Sequence, residues 1–209
     1  MKEYIRDLQP IDDPLLLKMK DFASKHRIPI MDDESMAVLL SLIKLKRPKK
    51  ILEIGAAIGY SAIRMAKAYE ESMIISYDID EERLKHAVAN ARECGLENRL
   101  KFVHGDVLEH IEQINGEGPY DFIFIDAAKS KYREYFDICA PVLNEHGVIV
   151  CDNVFFRGMV ASSKTPEDDK RFRTIVKKLR EFNRYIAQHE RFHTTFYPVG
   201  DGLAVSIKV

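Results

Sequence analysis

The sequence predicts an α/β fold in one domain, a mostly parallel sheet with helices on both faces. Three observations carry that expectation. Apolar, strand-like runs recur at residues 51–54, 73–77, 100–103, 120–125 and 147–151, and stretches of helical periodicity lie between them. The run Tyr120-Asp-Phe-Ile-Phe-Ile125 is nearly continuous in apolar character, as a parallel strand covered on both faces is. A strand, glycine turn and helix unit at residues 50–61 opens the series.

Taken in order, residues 14–27 place Leu15, Leu16, Met19, Phe22 and Ala23 at three and four spacing, and residues 33–46 do the same with Met36, Leu39, Leu40 and Ile43. They read as two helices, the second capped by Asp32 or Asp33, with residues 28–31 as an extended connector. In the unit at 50–61, Gly55 and Gly59 bound the turn, where the lack of a side chain lets backbone approach a ligand closely. The free N–H groups of the helix start near Tyr60 and Ser61 attract a carboxylate or phosphate, although glycines in such a turn also serve simply to close it.

The strand at 73–77 delivers Asp78 at its carboxyl end, about 20 positions beyond Gly55. In nucleoside-binding α/β folds an acidic side chain there accepts from both ribose hydroxyls; Asp80 competes for the role. A helix over 81–94 stops at Gly95. After the strand at 100–103, Asp106 either faces the exocyclic amine of a base or caps a helix over 107–114, and the two roles can coexist. The fourth strand ends in Asp126 and the fifth in Asp152-Asn153. A lone acidic residue at a strand end is usually a cap or turn former. Two carboxylates and an amide oxygen on strands expected to be neighbours are instead a hard donor set, suited to Mg²⁺ or a similar cation. The last third carries a loop over 154–161, a charged helix from about Pro166 to Gln188, and strands at 194–198 and 203–209 joined across Gly200-Asp-Gly202. In the second of these strands Leu203, Val205, Ile207 and Val209 alternate with smaller or polar residues.

With 209 residues, 46% of them apolar, the chain suits one domain over 1–209 with a sizeable core, and no repeat or linker interrupts it. No tract approaches the ~18 continuous apolar residues of a membrane span, and residues 1–7 lack the apolar core of a secretory signal, so a cytoplasmic protein without a membrane partner is expected. Cys94, Cys139 and Cys151 have no C-x-x-C spacing and indicate neither a zinc site nor a disulfide framework. A net charge of −1 argues against a generic polyanion binder. Basic residues nonetheless bunch at 44–50, at Lys129, Lys131 and Arg133, and at Lys170, Arg171, Arg173, Lys177, Lys178, Arg180 and Arg184. Such a face either holds a nucleic acid locally or is simply solvated.

The ordered set Glu53-Ile-Gly-Ala-Ala-Ile-Gly-Tyr-Ser61, Asp78, Gly105-Asp106, Ile125-Asp-Ala-Ala-Lys129, Asp152-Asn153 and Gly200-Asp-Gly202 resembles the metal-dependent O-methyltransferases that use S-adenosylmethionine, the catechol and caffeoyl-CoA group. The likeness runs from about residue 28 to the C-terminus. Within the group, Leu52-Glu-Ile-Gly, residues 57–66, Asp152-Asn-Val and residues 198–204 are most similar to the bacterial tRNA 5-hydroxyuridine methyltransferases. The resemblance implies a Rossmann-like class I methyltransferase fold, a seven-stranded sheet with an antiparallel last strand, and commonly a homodimer. It implies S-adenosylmethionine with its methionine part near Gly55 and Ser61, its ribose on Asp78 and its adenine beside Asp106 and Val107, with Met36 and Asp126 bordering it. Many relatives carry glutamate where this chain has Asp78; the shorter carboxylate still reaches both hydroxyls if the strand end sits slightly closer.

The resemblance also implies that Asp126, Asp152 and Asn153 hold Mg²⁺, or another divalent cation such as Mn²⁺ or Ca²⁺, and that Lys129 stands with Asp126 beside the reacting hydroxyl. Other readings of Lys129 are a solvated helix-start lysine or an ion pair with Asp126. The implied reaction methylates the 5-hydroxyl of 5-hydroxyuridine at the tRNA wobble position, whose 4-carbonyl neighbour makes the same chelate as a catechol. The alternative substrate is a catechol-like or caffeoyl-CoA-like small molecule. Phe155, Phe156 and Arg157 either meet the substrate or pack internally. A nicotinamide oxidoreductase would want G-x-G-x-x-G, and Gly55-Ala-Ala-Ile-Gly59 lacks the middle and third glycines. A cofactor-binding protein without catalysis is the remaining alternative.

Overall fold

A computed structural model describes Tyr4, Leu8 and residues 13–162 and 170–209, with the backbone alone for Lys170 and Arg171. The helices are α1 (Pro14–Lys25), α2 (Asp33–Lys46), α3 (Tyr60–Ala68), α4 (Glu81–Glu93), α5 (Ile111–Glu117), α6 (Tyr132–Cys139) and α7 (Lys170–Ala187). The strands are β1 (Lys50–Ile54), β2 (Met73–Asp78), β3 (Leu100–His104), β4 (Tyr120–Ile125), β5 (Leu143–Cys151), β6 (Phe192–Tyr197) and β7 (Leu203–Lys208). They form one seven-stranded sheet in the order β3-β2-β1-β4-β5-β7-β6. The pairs β2/β3, β1/β4 and β4/β5 are parallel, and β7 runs antiparallel to both β5 and β6. The expected sheet, with its antiparallel last strand, is the one observed. No described helix is long and apolar enough to cross a membrane.

The chain divides into two compact units, one running to Lys49 and resuming over Gly55–Asp106, the other made of Lys50–Ile54 and Val107–Val209. In the first, α1 starts at Pro14 because the Asp13 carboxylate accepts from the N–H groups of Leu15 and Leu16, and it buries Leu16, Met19 and Ala23. The cap of α2 is Asp32, which accepts from the N–H groups of Glu34 and Ser35 at 3.0 Å each. Asp33 instead pairs with Lys20 at 2.6 Å. Ala56, Leu84 and Ala87 pack together with Phe102 against them, which seats α4 beside the glycine turn.

In the second unit the core gathers Phe122, Phe124, Tyr132, Phe136 and Phe182, all at most 2% exposed. Tyr132 and Phe136 meet Phe182 edge-on, with ring centroids 5.6 and 6.1 Å apart. The expected helix over 107–114 is instead a single 3₁₀ turn at Val107–Glu109 followed by α5, the two separated at His110 (φ −113°, ψ 23°). His110 occupies the cap position of α5 without a side-chain hydrogen bond, so Asp106 does not cap that helix. β5 begins at Leu143, before the expected Gly147, and β6 at Phe192. The alternation read in β7 gives way to burial of Leu203, Ala204, Val205 and Ser206 alike, with Ile207 40% exposed. A strand bonded on both sides has both faces available for cover, which a period of two does not anticipate. The expected helix start at Pro166 lies outside the described residues.

Candidate functional site

In the first unit, the turn after β1 is bound to the end of β2. The N–H groups of Gly55 and Ala56 donate to the Tyr77 carbonyl at 2.8 and 3.1 Å. Gly55, Ala57 and Gly59 hold φ of 105°, 44° and 80°, and Gly59 immediately precedes α3. A side chain at Gly59 would place its Cβ 3.1 Å from that of Ala87 and 3.2 Å from the Phe102 ring, so glycine is required there by conformation and by packing. Asn90 of α4 donates to the Ile58 carbonyl at 3.0 Å and fixes the same turn.

Asp78 stands where the sequence puts it, half-buried at the end of β2. Its Oδ2 accepts from the Ala57 N–H at 2.7 Å and its Oδ1 from the Asp80 N–H at 2.9 Å. Each carboxylate oxygen has a second lone pair, so the anchored group can still accept from a vicinal diol. The competing Asp80 is committed elsewhere: it caps α4 through the Arg83 N–H and pairs with the Arg83 guanidinium at 3.0 Å. Met36 is fully buried, Ser61 is 9% exposed at the start of α3, and Asp106 is half-buried one residue after Gly105, whose N–H donates to the Asp78 carbonyl.

In the second unit, the register aligns Ile54, Ile125 and Cys151 across β1, β4 and β5. The next N–H groups continue the ladder, Asp126 to the Ile54 carbonyl at 2.8 Å and Asp152 to the Ile125 carbonyl at 3.0 Å. Adjacent strands therefore end in Asp126 and Asp152, as the sequence predicts. Asp152 is fully buried, and its Oδ1 accepts from the Asn153 N–H at 2.7 Å; Asn153 itself sits at φ 56°. Val107 is buried in this unit.

The Lys129 ammonium pairs with Asp126 Oδ1 at 3.0 Å, both side chains nearly four-fifths buried. Tyr132, which the sequence reading missed, donates its hydroxyl to the Asp152 carbonyl at 2.7 Å. Burial, with Asp126, Cys151 and Asp152 nearby, holds that phenol well above its ordinary range, so it stays a neutral donor. Among the described residues no three His, Cys, Asp or Glu side chains gather about one point. The set of Asp126, Asp152 and Asn153 contains two carboxylates and one amide, all hard oxygen donors, and a fully buried carboxylate calls for a compensating charge. These residues fit a divalent cation.

Beside Lys129 opens a cleft of about 560 Å³ lined by Ala128, Lys129, Ser130, Phe156, Arg157, Phe172, Thr174 and Ile175. Phe156 and Phe172 meet edge-on with centroids 5.7 Å apart. Phe156 and Arg157 hold φ of 43° and 56°, which for side chains of this size costs about 1–2 kcal/mol each. Asp201 braces the turn by accepting from the Arg157 N–H. Phe155 packs internally, stacked on Phe196 at 6.3 Å and filling the space over Gly202.

The basic clusters are partly committed to structure. Lys50 donates to the Glu117 carbonyl, Arg133 pairs with Asp137 and lies 3.3 Å over the Tyr185 ring, and Lys178 donates to the Ser130 carbonyl at 2.9 Å. Arg157, Arg173, Lys177 and Arg184 are exposed; the side chains of Lys170 and Arg171 lie outside the described residues. The three cysteines are free, Cys139 and Cys151 buried and Cys94 half-buried.

This arrangement has close structural counterparts. A Staphylococcus aureus chain, provisionally assigned as a caffeoyl-CoA O-methyltransferase, superposes with a TM-score of 0.93 at 32% identity, covering 100% of this chain and 99% of that one. An O-methyltransferase from Bacillus cereus, solved in complex with SAH, gives 0.87 at 26% identity, covering 99% and 96%. Among curated relatives, the caffeoyl-CoA O-methyltransferase of Stellaria longipes is 27% identical over 220 residues, covering 100% of this chain and 90% of that protein. The family model described as O-methyltransferase matches residues 7–209, and the chain belongs to that family.

Proposed function

We propose that this O-methyltransferase uses S-adenosylmethionine and a divalent cation, Mg²⁺ in the first instance, to methylate the 5-hydroxyl of 5-hydroxyuridine at the wobble position of tRNA. The observation that carries the reading is that adjacent strands end in Asp126 and Asp152-Asn153, with Lys129 paired to Asp126 and lining a cleft walled by Phe156, Phe172 and Arg157. The SAH complex of the Bacillus cereus relative supports the cofactor. The family match spans both compact units, which supports one methyltransferase domain over the whole chain.

In this reading Asp78 accepts from the ribose hydroxyls of the cofactor. The turn at Gly55 and the start of α3 at Ser61 receive its methionine part, and Asp106, Val107 and Met36 border the rest. Asp126, Asp152 and Asn153 would hold the cation, which would supply Lewis acidity toward a hydroxyl with a neighbouring oxygen. With a cation bound at the neighbouring donors, Lys129 in its neutral amine form would take the hydroxyl proton and become the ammonium, with Asp126 orienting it through the pair already present. Phe156 and Phe172 flank the ring, and their walls exclude water from the oxyanion. Arg157, with Arg173 and Lys177 on the helix that carries Phe172, offers charge to phosphates. The protein works in the cytoplasm as a homodimer in this reading, with no membrane partner; sedimentation velocity checks the assembly.

The second reading, favoured by the names of the curated relatives, is a catechol-like or caffeoyl-CoA-like substrate. Label transfer separates them. With labelled cofactor and Mg²⁺, methyl groups are expected in tRNA carrying 5-hydroxyuridine. Label confined to caffeoyl-CoA or catechols rejects the tRNA assignment.

A further inference from the structure

The loop that presents Phe156 and Arg157 is tied at its start by the Val154 and Phe155 N–H groups, which donate to the Gly202 and Asp201 carbonyls at 3.1 and 3.0 Å. Its carbonyls are held by α7, the helix that also lines the cleft through Phe172, Thr174 and Ile175. Arg180 donates from Nε to the Val160 carbonyl at 3.0 Å and from Nη2 to the carbonyls of Met159, at 3.2 Å, and Ser162. One turn further on, Asn183 donates to the Val154 carbonyl at 3.0 Å. Between these pegs Phe156, Arg157 and Gly158 all hold positive φ, as Asn153 does just before them, a conformation that relaxes unless its surroundings enforce it.

We propose that Arg180 is a positioning residue: its guanidinium fixes the 153–162 loop in the shape that offers Phe156 and Arg157 to the substrate, and so sets substrate affinity while leaving cofactor affinity alone. The planar fork suits the task. It serves three carbonyls from one rigid group, whereas a lysine offers a single point of charge on a flexible stem. Arg180 is not among the residues that line the cleft, and its hydrogen bonds go to carbonyls of the loop, so its effect passes through the loop backbone. The proposal rests on the cleft being the substrate site.

The test uses Arg180→Gln and Arg180→Lys in the full chain, with three readouts. Arg180→Gln is expected to raise KM for the methyl acceptor about tenfold, the loss from one charge-assisted hydrogen bond. The Kd for S-adenosylhomocysteine, from calorimetric titration, stays within about twofold. Arg180→Lys falls between the two proteins, and it carries the test if the glutamine variant does not fold. Tryptic cleavage after Arg157 accelerates in both variants while the other sites keep their rates. The proposal is overturned if Tm falls with KM unchanged, if KM and the cofactor Kd rise together, or if cleavage after Arg157 keeps its rate. The tryptic readout needs no substrate, so a failed substrate assignment and a failed role for Arg180 are distinguishable.

Discussion

At the scale of single residues, Asp152 is the side chain whose placement is hardest to explain by folding alone. It is fully buried on a strand end, one residue before a left-handed asparagine, where a carboxylate is costly unless its charge is compensated. Asp152→Asn keeps the shape and removes the charge. Turnover should fall at least about 100-fold, the scale of losing a preorganised electrostatic contact, and Mn²⁺ affinity measured by titration should fall with it. In the absence of cation Tm should hold or rise, since a buried charge is gone. Tyr132 makes a contrasting case. Tyr132→Phe removes the bond to the Asp152 carbonyl and should cost about 1 kcal/mol in urea unfolding, with cofactor affinity unchanged.

At the scale of elements, the proposed cofactor residues of the first unit hang on the end of β2 and the turn before α3, and the proposed metal donors of the second on the ends of β4 and β5. Gly59→Ala forces a left-handed alanine against Ala87 and Phe102 and should cost about 2 kcal/mol in denaturant unfolding, with weaker cofactor binding by calorimetry. The positions of Asp78, Asp126 and Asp152 were legible in the sequence because each follows an apolar run at once, and a parallel strand delivers its next residue to the sheet edge. The choice between Asp78 and Asp80 was not, since both flank one strand end; what the structure adds is that Asp80 accepts the cap bond from the Arg83 N–H. Nor could Asp32 be told from Asp33 as a cap before the pair with Lys20 was seen. The braces from Tyr132, Asn90, Arg180 and Asn183 join residues 18 to 32 positions apart, and no local period records such contacts. The split at His110 escaped for a different reason: the apolar spacing marks which residues face inward, not where one helical turn yields to the next.

At the scale of the whole molecule, a near-neutral chain with exposed arginines and lysines on α7 predicts a salt-dependent substrate but not a generic nucleic-acid binder. KM for tRNA should rise steeply between low and physiological salt. Removing Arg173 and Lys177 together should lower the log–log slope by about one to two; a slope unchanged by both would place the phosphates elsewhere. Stability should also fall in alkali. Burial pushes the thiols of Cys139 and Cys151 up from an ordinary 9.0 and the Tyr132 phenol up from 10.0, so the folded chain keeps protons that the unfolded chain releases. That contribution is complete below about pH 9 and is lost as pH rises further, which denaturant midpoints across pH 7–11 will show. The central claim is that a divalent ion clasped by Asp126, Asp152 and Asn153 is needed for methyl transfer. Turnover of 5-hydroxyuridine tRNA after exhaustive chelation, followed by titration with Mg²⁺, tests it most directly: activity should vanish and return in proportion to ion bound, and undiminished turnover in the chelated enzyme would contradict it.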